Sequence, residues 1–259
     1  MDELRAMLNR IQQTHSFREE SEDKGPEYEC TECRDTGFIS STDENGIDMF
    51  RRCECYAVKQ AKKIMKRSGI SAEFQKKTFD NFIAGGNAQL ENAKAKAMEY
   101  VYNFGMAEHD RRNSILFSGQ VGSGKTHLGT AICGELMRSG IAAVYMAYRN
   151  AITKIKQSIT DEVAYSRELS QYMTARVLYI DDLLKGKLSE SDVNIMYEIV
   201  NYRYMNNLPV IISTEKSIGE LLSFDEAIGS RIIEMCRGNI VQLQGKELNY
   251  RLFEKGSTW

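Results

Sequence analysis

The sequence predicts an α/β fold, a parallel sheet of five strands between helices, preceded by a small cysteine-rich module. Three observations carry this. From about residue 87, short apolar runs alternate with stretches of helical periodicity. A glycine-rich loop lies between the first such run and the helix after it. Two closely spaced cysteine pairs lie upstream.

The elements follow in order. Leu4, Met7, Leu8 and Ile11 give residues 2–17 a helical spacing, and the acidic stretch Glu19 to Glu29, with Gly25-Pro26, reads as a linker. The cysteine segment runs from Cys30 to Cys55. Ala57 to Arg67 is a basic amphipathic helix, with Val58, Ala61, Ile64 and Met65 on one face and Lys59, Lys62, Lys63 and Lys66 on the other; Ser68-Gly69 ends it. Residues 70–86 read as a connector closing on Gly85-Gly86. The organisation expected is an N-terminal module over 1–68, a linker over 69–86 and the main domain over 87–259. In that domain Asn87 to Ala107 is a long helix. Strands are expected near 114–118, 141–147, 176–181, 208–213 and 239–243. Runs such as Val177-Leu178-Tyr179-Ile180 and Val210-Ile211-Ile212 are apolar almost throughout, as in a parallel sheet covered on both faces.

The bulk properties set bounds. The chain has 259 residues, 42% hydrophobic, enough for one sizeable core and a small appendage. Lys plus Arg is 34 against 36 for Asp plus Glu, so net charge names no partner and a nucleic-acid surface must be a local patch. No apolar run approaches the ~18 residues that span a bilayer. Asp2 and Glu3 open a chain without an apolar leader. A cytoplasmic protein with no membrane partner is expected. In that reducing compartment six cysteines point to metal rather than disulfides.

Gly119-Gln120-Val121-Gly122-Ser123-Gly124-Lys125-Thr126 matches G-x-x-x-x-G-K-[ST], the phosphate-binding P-loop. Glycines let the backbone wrap so that its N–H groups face phosphate oxygens. Lys125 can reach the β- and γ-phosphates, and Thr126 can place its hydroxyl on Mg²⁺. The phosphates then meet the N-terminus of the helix that begins around His127, which is counted with the nucleotide-binding residues. Ser114 to Phe117 supplies the strand before the loop, so the order strand, loop, helix is present. Val177-Leu178-Tyr179-Ile180-Asp181-Asp182 is a Walker B pattern: the strand carries Asp181 to the sheet's C-terminal edge as a Mg²⁺ holder, and Asp182 is placed to polarise the attacking water. A surface Asp-Asp turn is the alternative. Ser213, Thr214 and Glu215 end a further strand, where a polar side chain can sense the γ-phosphate; ordinary turn residues are the alternative, and Glu215 would repel phosphate unless turned away. Arg231 follows Gly229-Ser230 and can be an arginine finger toward a neighbour or a solvated surface arginine.

Cys30-x-x-Cys33 and Cys53-x-Cys55 offer four thiolates from two short elements, the donor set of a tetrahedral zinc site. A redox pair or four unrelated thiols are the alternatives. Cys133 and Cys236 sit in apolar contexts and read as buried, and His15 is a lone candidate ligand.

Together, Cys30-x-x-Cys33, Asp35-Thr36-Gly37-Phe38, Cys53-x-Cys55-Tyr56, Phe79-Asp80-Asn81-Phe82, the P-loop, Ile180-Asp181-Asp182 and Gly229-Ser230-Arg231 resemble the DnaC/DnaI-type replicative helicase loaders, especially their phage and mobile-element relatives. The resemblance covers about residues 28–255. It implies an AAA+ ATPase core with a reduced lid. Gly119, Gly122, Gly124, Lys125 and Thr126 would bind ATP and Mg²⁺, Asp181 and Asp182 would be the Walker B acids, and Arg231 would be the arginine finger. It further implies a zinc module that docks on a hexameric helicase, AAA+ domains that associate with one another, and a grip on single-stranded DNA. Two departures stand out. Many loaders carry Asn where this chain has Glu215, and only Gln244 to Trp259 follows the last strand, so Arg237 and Arg251 are mere candidates for a second sensor. Tyr148-Arg149, Lys154, Lys156 and Arg167, with Tyr145, Tyr165 and Tyr172 nearby, lie in a helical insertion that in loaders resembles the single-strand contact; a solvated helix pair is the alternative. Two other functions compete: an IstB-like transposition helper ATPase, which the cysteine module argues against, and a non-hydrolysing adaptor, against which Lys125, Thr126, Asp181 and Asp182 weigh.

Overall fold

The computed structural model describes residues 28–70 and 76–253. The expected helix over 2–17, His15 and most of the acidic linker lie outside them. The chain divides into two units after Cys53, whereas composition places the boundary at 68. The first unit holds a hairpin that the sequence reading did not anticipate: β1 (Phe38–Thr42) pairs antiparallel with β2 (Asp48–Arg52). Asp43 closes it, its carboxylate accepting from the N–H groups of Asn45 and Ile47.

In the second unit α1 (Cys55–Arg67) buries Ala61 and Met65 and carries Lys66 and Arg67 in its last turn, where the helix dipole favours cations. It packs on α3 and β4, so the basic helix belongs to this unit. After it come α2 (Ala88–Ala107), β3 (Ile115–Gly119), α3 (Lys125–Arg138), β4 (Ala143–Ala147), α4 (Tyr148–Gln157), α5 (Glu162–Met173), β5 (Val177–Leu183), α6 (Glu190–Met205), β6 (Val210–Thr214), α7 (Ile218–Phe224), α8 (Glu226–Met235) and β7 (Ile240–Leu243). A 3₁₀ turn, Lys246–Leu248, and α9 (Tyr250–Phe253) follow. Side-chain caps set several starts: Asn87 Oδ1 accepts from the Gln89 and Leu90 N–H groups, and Ser189/Asp192 and Ser217/Glu220 form capping boxes.

The five strands are parallel, in the order β4-β5-β6-β3-β7. Each expected strand is present within a residue or two. Alternation explains why they are apolar throughout. Ile115, Phe117, Val177, Tyr179 and Ile211 face a layer with α2 and α3, while Leu116, Leu178, Ile180, Val210 and Ile212 face one with α4 to α8. The order also places β6 between the P-loop strand β3 and the Walker B strand β5, so β5 reaches the loop across a strand rather than beside it. Cys133 and Cys236 are buried, and burial pushes both thiols well above their ordinary range, which leaves them inert. No helix among the described residues is long and apolar enough to cross a membrane.

Candidate nucleotide site and cysteine cluster

β3 ends at Gly119 and α3 begins at Lys125, so the loop 119–124 crosses the C-terminal edge of the sheet. Gly119 has φ +118°, and a Cβ there would stand 2.1 Å from the Leu243 carbonyl oxygen. That oxygen accepts from the Gln120 N–H at 2.7 Å, so β7 clamps the loop through backbone that cannot swing aside. Gly119→Ala should therefore cost at least about 2 kcal/mol in the strained conformation and the clash together, with nucleotide binding lost. Denaturant midpoints and titration with a fluorescent nucleotide measure both; a wild-type midpoint would refute the clamp.

Lys125 is buried, and its Nζ donates to the Gly119 and Gln120 carbonyls at 2.8 and 2.6 Å. Burial lowers its proton affinity, opposed by Glu215, Asp182 and Asp181. Thr126 Oγ1 donates to Asp181 Oδ1 at 2.9 Å, which joins the two nucleotide motifs directly. Asp181 also accepts from Tyr179 at 2.8 Å, Ser213 at 2.5 Å and Tyr145 at 3.0 Å. Burial and the carboxylate hold both tyrosine hydroxyls protonated. Gly129 of α3 makes room for Tyr179: a Cβ there would lie 2.5 Å from its ring. Ser213 of β6 also accepts from the Asp182 N–H at 2.9 Å, so the intervening strand becomes the bridge between the motifs. Asp182 takes φ +58° and points its carboxylate at Lys185, Oδ2 to Nζ 2.7 Å; Lys185 also meets Glu215 at 3.1 Å.

A cavity of about 460 Å³ opens here, lined by the loop residues from Val121 to His127 with Asp182, Lys185, Glu215 and Arg251. Its apolar wall is Phe82, Ile83, Leu90 and Leu248. The connector 76–83 thus belongs to the site, which its polar composition did not show. Its anchor is His127: Nε2 lies 2.8 Å from the Thr78 carbonyl and 2.9 Å from Asn81 Oδ1, and Phe82 packs edge-on against the ring. Hydrogen-bond donors and hard oxygen acceptors at a helix N-terminus suit a Mg-nucleotide.

A match to the family described as "IstB-like ATP binding protein" spans residues 55–256. The chain belongs to the IstB-like ATP-binding family. Phage-like element PBSX protein XkdC of Bacillus subtilis (strain 168) is 36% identical over 241 residues, 90% of this chain and 89% of that protein. Replicative helicase loader DnaC of Escherichia coli (strain K12) is 27% identical over 172 residues, 66% of this chain and 67% of that one. The crystal structure of the DnaC helicase loader aligns with a TM-score of 0.57 at 21% identity, over 67% of this chain and 100% of that chain. At that identity the likeness is one of fold, that of the AAA+ P-loop domain.

Other expected site residues of this IstB-like chain fall elsewhere. Arg231 does not line the cavity. Its Nη1 donates to the Ala227 carbonyl at 2.7 Å, and its guanidinium lies 5.4 Å from the ring centres of both Tyr197 and Tyr204. It is neither in this chain's own site nor simply solvated. Arg237 is exposed away from the cavity, and Arg251 is at its rim. Three of the basic residues of the helical insertion are engaged within the fold, Lys154 with Glu168 at 2.7 Å, Lys156 with Asp192 at 2.9 Å, and Arg149 with the Lys187 carbonyl at 2.9 Å, whereas Arg167 is exposed, its guanidinium 3.9 Å from Glu168. Tyr148 and Tyr172 are buried.

The Sγ atoms of Cys30, Cys33, Cys53 and Cys55 all lie within 4.8 Å of one another. A tight knuckle builds the first pair. Asp35 accepts from the Glu29 and Cys30 N–H groups at 3.0 Å each, and Arg34 and Asp35 take left-handed φ of 49° and 67°. The Gly37 N–H then points at Cys33 Sγ, 3.3 Å away. Cys30 and Cys53 sulfurs are 3.7 Å apart, close to the about 3.8 Å edge of a tetrahedron with about 2.3 Å metal–sulfur bonds. The cluster suits a tetrahedral metal ion.

Proposed function

We propose that this protein hydrolyses ATP to load a hexameric replicative helicase onto single-stranded DNA, with hydrolysis driving release. What carries the reading is that Lys125, Thr126 and Asp182 line one cavity, with Asp181 hydrogen-bonded behind Thr126, in a chain that also holds the four-cysteine cluster. The residues Gly119 to His127 would hold ATP, with its base against the wall at Phe82. Thr126 and Asp181 would hold Mg²⁺, which when bound neutralises charge on the phosphate oxygens. The reaction forms a bond from a water oxygen to the γ-phosphorus and breaks the bond from that phosphorus to the β–γ bridging oxygen. ADP leaves with that electron pair, and Asp182 takes the water's proton. Arg231 serves a neighbouring copy's γ-phosphate as an arginine finger, leaving its resting place between two tyrosines. Cys30, Cys33, Cys53 and Cys55 hold Zn²⁺, and the residues around them dock on the helicase.

The match to the IstB-like family favours one second reading, a transposition helper whose partner is a transposase on duplex DNA. A pull-down of the tagged protein with ATP and Mg²⁺, from cells carrying its genetic element, separates the two. We expect a hexameric helicase retained by the wild type and lost with Cys30→Ser/Cys33→Ser, together with stoichiometric zinc in the wild type only. A retained transposase would overturn the loader reading in favour of the second.

A further inference from the structure

We infer that Lys185 is the γ-phosphate sensor of this protein, and that its ion pairs with Asp182 and Glu215 form a gate that a triphosphate opens. The inference deepens the ATPase reading above and rests on it.

The backbone comes first. Past Ile180 the strand leaves regular pairing with β6, and Asp182 and Leu184 take left-handed φ of 58° and 61°. Such conformations cost on the order of 1–3 kcal/mol each in non-glycine residues and persist only where the surroundings enforce them. Here Leu183 and Leu184 are both 1% exposed, and the Leu183 carbonyl accepts from Thr214 Oγ1 at 2.8 Å. The Lys185 N–H closes the turn on the Asp182 carbonyl at 3.1 Å. Two anchored leucines therefore fix where Lys185 leaves the core, and its side chain lines the cavity with Lys125.

The ion pairs come second. All three partners are partly exposed, with side chains 48% accessible for Lys185, 37% for Asp182 and 35% for Glu215. Exposed pairs of this kind add little stability, so the turn is held by its leucines and not by the ion pairs. At the ligand they matter more. Lys185 and both carboxylates act electrostatically on buried Lys125. Glu215 stands where an acid alone would repel a terminal phosphate; Lys185, held against it, turns that repulsion into attraction. In the resting state the ammonium occupies Asp182. A γ-phosphate offers three anionic oxygens in competition with the two carboxylates. Once Lys185 moves to it, Asp182 is free to accept a proton from water. ADP has no γ-phosphate, and the gate closes.

The test uses the full chain with Mg²⁺ and two fluorescent probes, a non-hydrolysable ATP analogue and ADP. Lys185→Ala should weaken the triphosphate about tenfold or more, with ADP affinity within about twofold of wild type. Lys185→Arg should recover most of the loss, and Glu215→Asn should tighten the triphosphate severalfold. A far-UV melt checks that each variant is folded. Equal loss for both nucleotides, or none, in a folded Lys185→Ala overturns the sensor. A wild type that binds neither nucleotide overturns the ATPase reading with it, whereas a hydrolysing wild type with an indifferent Lys185→Ala overturns the sensor alone.

Discussion

Asp182→Asn should bind Mg-ATP at least as tightly as the wild type, since it also frees Lys185 from its nearer carboxylate, and hydrolyse it about a hundredfold or more slowly, the usual scale for removing a positioned base. The choice of Asn matters. Asp182 sits at φ +58°, a conformation Asn tolerates, and its backbone N–H still donates to Ser213. The variant removes the proposed base and leaves the turn. The same exchange next door is not equivalent. Asp181 accepts from four hydroxyls, those of Thr126, Tyr145, Tyr179 and Ser213. An amide at 181 would set its own N–H groups against those donors, so Asp181→Asn should lose both Mg²⁺-dependent binding and some stability. Single-turnover hydrolysis beside equilibrium nucleotide binding separates the two variants. Wild-type turnover in Asp182→Asn would remove it as the base.

The strands, and the glycine loop between β3 and α3, were legible because they depend on local order: apolar runs with two buried faces, and glycines where the chain must turn. The residues that complete the site were not. Tyr179 reads as part of an apolar strand and Tyr145 as an aromatic beside the candidate single-strand contact; Tyr179 is buried and Tyr145 partly so, yet each sends its hydroxyl to Asp181. Only the pairing of β4 with β5 brings Tyr145 to that carboxylate, and pairing is non-local. Asn81 lies 46 residues before His127, with Phe82 next to it, in a stretch whose composition signals a connector. The β1–β2 hairpin was missed for a different reason. Its strands have no buried face to impose alternation, so the only clue was the turn at Asn45-Gly46. Lys185 reads as one of several surface lysines until the turn at Asp182 and Leu184 is seen.

Arg203 was wholly illegible, since arginine is a surface residue by default, and it yields the largest expected loss of stability: Arg203→Met should destabilise by about 3–5 kcal/mol. The side chain is 0% exposed. Nη1 donates to the carbonyls of Tyr172, Met173 and Ala175 at 2.9, 3.1 and 2.8 Å, and Nη2 to that of Pro209 at 2.6 Å. These acceptors are the last turn of α5, the approach to β5 and the approach to β6. One guanidinium thus caps a helix C-terminus, where a cation is favoured, and ties the entries of two adjacent strands. Burial lowers its pKa to about 9, which still leaves the guanidinium charged at neutral pH. Methionine fills much of the volume but takes the donor from the Tyr172, Met173 and Ala175 carbonyls, leaving that of Pro209 only the Leu178 N–H at 3.2 Å. Lysine keeps the charge but loses the planar fork, so Arg203→Lys should fall between. Against a total stability of about 5–15 kcal/mol, the methionine variant should show a much lower denaturant midpoint, with β5, which carries Asp181 and Asp182, the first to loosen. A loss below about 1 kcal/mol would mean that water replaces the guanidinium at those carbonyls, and that the strand entries hold without it.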